Sequence, residues 1–186
     1  MEIYLIRHTT PKIEKGICYG QSDLELNPSF DEEEKLIHQN LDKPFDYIFT
    51  SPLNRCVQLA ETFEVAMQKE PRLKELSFGN WEMKKWKDLP QPALKEWMEN
   101  YVSQAPPGGE SYNQLKIRVV EIFKGIISQN RASTGIITHA GPIRAILSNV
   151  LNLSLKDTFK LKIDYGSITK ISLHETTFSV DYINKK

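Results

Sequence analysis

The 186-residue sequence has few cysteines, no excess of either charge and no long apolar run. Its cysteines, Cys18 and Cys56, are too few for a dense disulfide framework and lack the C-x-x-C spacing of zinc and redox motifs. Lysine plus arginine and aspartate plus glutamate both total 24, so no net field attracts nucleic acid or an anionic membrane. No apolar run approaches the roughly 20 residues that span a bilayer. We therefore expect neither nucleic acid nor a membrane as a partner of this chain.

The beginning of the chain also lacks the basic and apolar regions of a signal peptide. Together with the cysteine usage, this predicts a reduced, cytoplasmic setting. The length suits one sizeable hydrophobic core and is short for two, so we expect residues 1–186 to form one domain. The sequence leaves open whether the chain forms a homodimer.

The stretch Ile3–Ile6 is continuously apolar, which is typical of a strand buried on both faces of a sheet. Arg7 and His8 follow it directly. In open α/β sheets, ligands bind beyond the carboxyl ends of the strands, so this pair indicates a site for a phosphorylated ligand. The alternative is a surface arginine and a capping histidine, which the stretch by itself slightly favours.

The same arrangement recurs later in the chain. Thr134–Thr138 is predicted as a short buried strand, and His139 follows it, ahead of a helix that carries Pro142 in its first turn. Phe45–Thr50 is predicted as another strand, after which Ser51 and Pro52 have the character of a helix start. Arg55 lies in the first turn of that helix, where an anion is favoured, although a solvent-facing arginine is the better reading of Arg55 alone.

The remaining elements are predicted from pattern. Arg72–Leu76 is expected to be a strand, which would bring Glu75 near a strand end, and an exposed glutamate is an equally good interpretation. Ser111 and Gln114 form a capping-box signature for the next helix. A short solvated helix is expected near residues 31–40. The stretches Ile163–Leu173 and Phe178–Ile183 are expected to complete the sheet as its edge.

Each of these charged positions is a weak signal alone, but all of them fall at strand ends or in the first turn of a following helix. Their order resembles the histidine phosphatase superfamily, the phosphoglycerate mutase-like enzymes. The matching motifs are R-H at Arg7–His8, S-P-L-N-R-C at Ser51–Cys56, L-K-E-L-S-F-G-N-W-E at Leu73–Glu82, P-G-G-E-S at Pro107–Ser111 and T-H-A-G-P-I-R at Thr138–Arg144. The resemblance covers nearly the whole chain.

The resemblance implies a three-layer α/β/α sandwich with a mainly parallel central sheet. It also implies a phosphatase that needs neither a metal nor another cofactor and works through a phosphohistidine. His8 would be the nucleophile, and Arg7, Arg55 and His139 would hold the phosphoryl oxygens. Glu75 would be the general acid, with Glu82 as its rival. Gln21 and Ser22 would donate further hydrogen bonds to phosphate, as the corresponding loop does in the family.

Within the superfamily, R-H-T-T-P followed by G-I-C-Y-G-Q-S-D resembles the α-ribazole phosphatase branch, as does D-Y-G-S-I-T at Asp164–Thr169. The expected substrate is then α-ribazole 5′-phosphate of cobalamin assembly, whose flat base would pack against Tyr19 and Trp81 or Trp86, with Glu82 a weaker substrate contact. A broad-specificity phosphatase and a mutase remain alternatives, although Thr9-Thr10 stands where mutases carry Gly-Glu. A non-catalytic phosphate-binding module is the alternative of another class, and a nucleophilic His8 argues against it.

Overall fold

The structure, a computed structural model, describes residues 1–186. The strands are β1 Glu2–Arg7, β2 Tyr47–Thr50, β3 Met67–Lys69, β4 Ser133–Thr138, β5 Ile168–His174 and β6 Thr177–Lys185. The helices are α1 Phe30–Asn40, α2 Asn54–Glu61, α3 Gln91–Asn100, α4 Tyr112–Ile127 and α5 Ala140–Val150. Short 3₁₀ turns are formed by Pro71–Leu73, Gly79–Trp81, Trp86–Asp88 and Asp157–Lys160.

The strands form a six-stranded sheet in the order β3-β2-β4-β1-β5-β6. The first four strands of this order are mutually parallel, whereas β5 runs antiparallel to both of its neighbours. The pairing of β1 with β4 aligns Arg7 with Thr138. Because the two strands end at the same level, the histidines that follow them, His8 and His139, meet at one edge of the sheet.

Strand β1 is buried on both faces, as its sequence predicts. Ile3 and Leu5 pack on one side among residues of α4 and α5, whereas Tyr4 and Ile6 pack on the other among residues of α1 and α2. All of these side chains are fully buried, and each apolar one contributes about 1.5–3 kcal/mol to folding. Helices therefore cover both faces of the sheet, and the expectation of a mainly parallel three-layer α/β/α sandwich is confirmed.

Other expectations also hold. The Ser111 hydroxyl accepts from the Gln114 backbone amide while the Gln114 side chain accepts from the Ser111 amide, so α4 begins with a capping box. The short helix near residues 31–40 is present as α1, and β6 forms an edge of the sheet. None of the helices combines the length and the apolar character needed to cross a membrane.

The prediction of a strand at Arg72–Leu76 is wrong. Pro71–Leu73 forms a 3₁₀ turn, which the Glu70 carboxylate caps by accepting from the Arg72 amide, and no regular element holds Glu75. The third strand along the chain is β3, which begins at Met67. Helix α2 ends at Glu61, and Glu64 adopts a left-handed backbone with φ of 52°, which a helix cannot continue.

Two element boundaries also differ from expectation. Helix α2 begins at Asn54 with Leu53 as its N-cap, so Ser51 and Pro52 precede the helix. Strand β5 begins at Ile168, and the residues from Ile163 onward form a loop over the end of β1.

Candidate active site

His8 follows β1 and is 2% exposed. Its Nδ1 lies 2.7 Å from the carbonyl oxygen of Thr9, and since a carbonyl only accepts, Nδ1 carries a proton and donates. Burial, followed by the nearby charges of Arg55 and Arg7, lowers the pKa of His8 well below its usual value. The imidazole is therefore neutral at pH 7, and its Nε2 keeps a free lone pair.

Two arginines lie beside this imidazole. Arg55 is fully buried, and its Nη1 and Nη2 donate to the carbonyl oxygens of Ser22 and Gly20, both at 2.8 Å. Arg7 donates from Nη1 to the Ile163 carbonyl oxygen at 2.7 Å. Both side chains retain a buried Nε–H without a partner in the protein. Their charge and remaining donor capacity suit an anion bound next to His8.

His139 is fully buried, and its ring centroid lies 4.9 Å from that of His8 in an edge-on arrangement. Its Nε2 is 2.8 Å from the Ser51 hydroxyl oxygen, which fixes the plane of the ring. Burial, followed by the neighbouring His8, Arg55 and Arg7, lowers the pKa of His139 well below its usual value. His139 is therefore a neutral hydrogen-bonding group at pH 7, and the positive charge near His8 comes from the two arginines.

Glu75 is brought to the same edge of the sheet by the irregular segment after the Pro71–Leu73 turn. Its Oε1 accepts from the Leu76 amide at 2.9 Å and from the Gly141 amide at 3.1 Å, whereas Oε2 accepts only from Gly141, at 3.2 Å. Gly141 belongs to the first turn of α5, where the helix dipole favours a carboxylate. Oε2, with the fewer and longer contacts, has more capacity left to bond a ligand.

An apolar cavity of about 250 Å³ opens beside Glu75. Its walls are mostly hydrophobic, and Arg144 is the one cationic residue among them. The aromatic lining residues are Tyr19, Phe78, Trp86, Trp97, Tyr101, Tyr112 and Phe159. Of the two tryptophans considered from the sequence, Trp86 lines this cavity and Trp81 is buried in the neighbouring core cluster. The cavity can therefore hold a flat, apolar group next to the carboxyl group of Glu75.

The sequence of the whole chain matches a known family. The family described as "Histidine phosphatase superfamily (branch 1)" matches residues 3–186. The chain belongs to the histidine phosphatase superfamily. The family predicted from the sequence motifs is thereby confirmed.

This histidine phosphatase is similar to several phosphatases of other organisms. The adenosylcobalamin/alpha-ribazole phosphatase of Escherichia coli K12 is 22% identical, over 100% of this chain and 97% of its own length. A metal-independent phosphoserine phosphatase of Arabidopsis thaliana is 26% identical, over 97% of this chain and 79% of its own. Among solved structures, the alpha-ribazole phosphatase of Shigella flexneri matches with a TM-score of 0.92 at 22% identity, covering 100% of this chain and 96% of that chain. The last likeness shows that the two proteins share a fold.

The three other residues predicted to contact the ligand of this histidine phosphatase, Gln21, Ser22 and Glu82, make hydrogen bonds within the protein. The Glu82 carboxylate accepts from the Gln21 amide, the Phe78 amide and the Ser22 hydroxyl, at 3.0, 3.0 and 2.6 Å. The Gln21 side chain donates to the Glu75 carbonyl oxygen at 2.9 Å. Glu82, Gln21 and Ser22 thus tie the loop together, and their predicted contacts with a ligand stay predictions.

Sequence reasoning missed Tyr165 as a residue of this site. Its ring lies under the Arg7 guanidinium, 3.7 Å from the ring centroid to Cζ, and 5.5 Å from the ring of His8. Its hydroxyl is 2.6 Å from the Tyr19 hydroxyl, so two distant loops meet at the histidine phosphatase's cleft. The motif D-Y-G-S-I-T contained Tyr165, but the pattern gave no sign that this ring would reach back to β1.

Proposed function

We propose that the chain hydrolyses phosphate monoesters through a phosphohistidine formed on His8. The observation that carries this proposal is the neutral His8, whose Nδ1–H is held by the Thr9 carbonyl and whose ring lies among Arg7, Arg55 and His139. A simple anion-binding module needs the cations but has no need of a nucleophile between them.

In the first step, His8 Nε2 attacks phosphorus, the bond from phosphorus to the ester oxygen breaks, and Glu75 gives its proton to the leaving alkoxide. In the second step, Glu75 takes a proton from water, whose oxygen attacks phosphorus and displaces Nε2. The products are an alcohol, inorganic phosphate and the original neutral His8. Arg7, Arg55 and His139 would hold the phosphoryl oxygens throughout, the arginines through their charge and His139 as a neutral hydrogen-bonding group.

Excess chelator is expected to leave kcat/KM nearly unchanged, because guanidinium groups supply the positive charge that divalent metals supply in other phosphoryl-transfer sites. The measurement is hydrolysis of 4-nitrophenyl phosphate before and after prolonged incubation with EDTA, with a magnesium-dependent phosphatase assayed in parallel as the control. A strict requirement for added divalent metal would contradict this part of the proposal.

We propose α-ribazole 5′-phosphate as the substrate. The aromatic cavity beside Glu75 supports this choice, because dimethylbenzimidazole is flat and largely apolar, and the named bacterial relatives act on α-ribazole phosphate. The direct test is a panel that also contains 3-phosphoglycerate, phosphoserine, a sugar phosphate and a nucleoside monophosphate. The highest kcat/KM is expected for α-ribazole 5′-phosphate, and a higher value for any other ester would overturn this substrate assignment.

Tyr19→Ala is expected to lower kcat/KM for α-ribazole 5′-phosphate by about tenfold while sparing glycerol phosphate, because the dimethylbenzimidazole ring would lose one aromatic wall of its cavity. Tyr19→Phe is the matched control, since it keeps the ring and removes only the hydroxyl that meets Tyr165. An equal loss for the large and the small substrate in Tyr19→Ala would mean that the ring does not contact the base.

A second candidate substrate class is a small phosphate ester that carries a carboxylate, such as phosphoserine. The observation in its favour is Arg144 on the cavity wall, whose guanidinium makes only long contacts to the Thr158 and Leu161 carbonyl oxygens, at 3.3 and 3.2 Å. In this case Arg144→Met would raise KM for phosphoserine and leave that for α-ribazole 5′-phosphate unchanged.

Gly141→Ala is expected to slow hydrolysis with little loss of stability. A Cβ at this position would overlap Glu75 Oε1, which is the movable end of a side chain, so the carboxyl group would shift while the helix remains intact. We expect kcat for an alkyl phosphate to fall by about 10²-fold, the scale of a misplaced catalytic group. Gly125→Ala is the control, since no atom lies within 4 Å of its added Cβ. Wild-type rates in Gly141→Ala would argue against the catalytic role of Glu75.

We also propose a cytoplasmic location. Supporting it, Cys18 and Cys56 are both free thiols buried in the fold, as suits a reducing compartment.

A further inference from the structure

The backbone that carries Glu75 has no strand or helix to hold it. Residues from Lys74 to Phe78 lie between two 3₁₀ turns and make no regular ladder. A catalytic carboxyl group must nevertheless be held within a fraction of an ångström of its working position. The hydrogen bonds that fix this segment must therefore come from side chains elsewhere in the chain.

Arg118, on helix α4, supplies most of these bonds. Its Nη1 donates to the carbonyl oxygens of Arg72 and Lys74, at 2.7 and 2.8 Å, and its Nη2 donates to the Glu75 carbonyl oxygen at 2.9 Å. The remaining donors bind Glu110, from Nε to Oε2 at 2.9 Å and from Nη2 to Oε1. All the N–H groups of this guanidinium are thus directed to the segment or to Glu110.

Glu110 extends this hydrogen-bond network to Ser77, which follows Glu75 in the chain, and to Gln21 in the loop after β1. Its Oε1 accepts from the Ser77 amide at 3.0 Å and from Gln21 Nε2 at 3.4 Å. The same Gln21 nitrogen donates to the Glu75 carbonyl oxygen, which therefore accepts from both Gln21 and Arg118. The segment is bonded before, at and after Glu75, and Glu75 lines the cavity.

We propose that Arg118 is a positioning residue for the general acid: together with Glu110 it holds the Arg72–Ser77 backbone so that the Glu75 carboxyl group stays against the first turn of α5. Arg118 does not line the cavity, and it contacts Glu75 through the backbone only. A lysine could not replace it, because a single ammonium cannot reach three carbonyl oxygens and a carboxylate in a fixed plane. The inference rests on the proposed role of Glu75.

The test compares an alkyl phosphate with 4-nitrophenyl phosphate, whose leaving group needs little proton assistance. Arg118→Gln is expected to reduce the ratio of the alkyl rate to the aryl rate by about tenfold or more, because it displaces the acid and leaves the nucleophile in place. In a Glu75→Gln background the same substitution is expected to change the ratio no further. Lys116→Gln is the control, since Lys116 lies on the same helix but bonds Ser148.

The outcomes separate this inference from the proposed function. Suppose that the ratio of the alkyl rate to the aryl rate falls in Glu75→Gln. If Arg118→Gln then slows both substrates equally, or if the double variant has a lower ratio than Glu75→Gln, the positioning role is overturned and Glu75 remains the acid. An unchanged ratio in Glu75→Gln would overturn both. Should Arg118→Gln not fold, Glu110→Gln provides the same measurement: a several-fold fall in the ratio supports the inference, and an unchanged ratio refutes it.

Discussion

His8→Ala is expected to abolish phosphatase activity. The imidazole is neutral, its Nδ1–H is held by the Thr9 carbonyl oxygen, and alanine supplies no lone pair in its place beside the two arginines. Where catalytic residues act as a unit, removal of the nucleophile lowers kcat on the order of 10⁴-fold or more. The measurement is hydrolysis of 4-nitrophenyl phosphate, which responds to the nucleophile because its leaving group needs little further help.

The intermediate itself can be trapped. Rapid denaturation of the wild-type enzyme during turnover should yield protein-bound phosphate that is labile in acid and stable in base, the behaviour of a phosphorus–nitrogen bond. His174→Ala is the control, because His174 ends strand β5 far from the sheet edge that carries His8. A His8→Ala enzyme that keeps most of its rate would contradict the phosphohistidine mechanism, and so would phosphate trapped on another residue.

The site residues that follow strands could be predicted because their strands are visible in the sequence. The apolar stretches Ile3–Ile6 and Thr134–Thr138 mark buried parallel strands, and polar residues directly after such strands fall at one edge of the sheet. The predicted meeting of His8 and His139 follows from this rule alone. Their ring centroids lie 4.9 Å apart, which required only the correct order of β1 and β4.

Arg55 shows where pattern reasoning stops. It lies off the apolar stripe of its helix, which by itself indicates a solvent-facing side chain, yet it is fully buried. The reason is a loop distant in sequence, whose Gly20 and Ser22 carbonyl oxygens cover the guanidinium. Contacts of this kind depend on how a loop folds back over the sheet edge, and helical periodicity contains no information about that.

The position of Glu75 was predicted for a reason that proved wrong. The sequence reasoning relied on a strand ending at Leu76, but the segment is irregular and is held by Arg118 and Glu110 instead. Side-chain to backbone bonds that span more than forty residues, such as the one from Arg118 to Lys74, leave no periodic trace. For the same reason the sequence could not choose between Glu75 and Glu82 as the acid.

Glu75→Gln is expected to slow alkyl phosphates by about 10²–10⁴-fold and 4-nitrophenyl phosphate far less. An alkoxide leaves poorly without a proton, whereas a nitrophenolate leaves readily, and glutamine cannot supply the proton. The measurement is kcat over a series of esters ordered by the pKa of the leaving alcohol or phenol. The dependence on leaving-group pKa should be much steeper in Glu75→Gln than in the wild-type enzyme.

Glu82→Gln is the matched control, because it makes the same chemical change a few residues further along the chain. The Glu82 carboxylate already accepts from the Gln21 and Phe78 amides and from the Ser22 hydroxyl, so it has little capacity left for a leaving group. Its replacement should loosen the loop that covers Arg55 and slow alkyl and aryl esters alike. Steepening of the leaving-group dependence in Glu82→Gln and none in Glu75→Gln would transfer the acid role to Glu82. We expect the opposite result, because Glu75 lines the cavity and Glu82 does not.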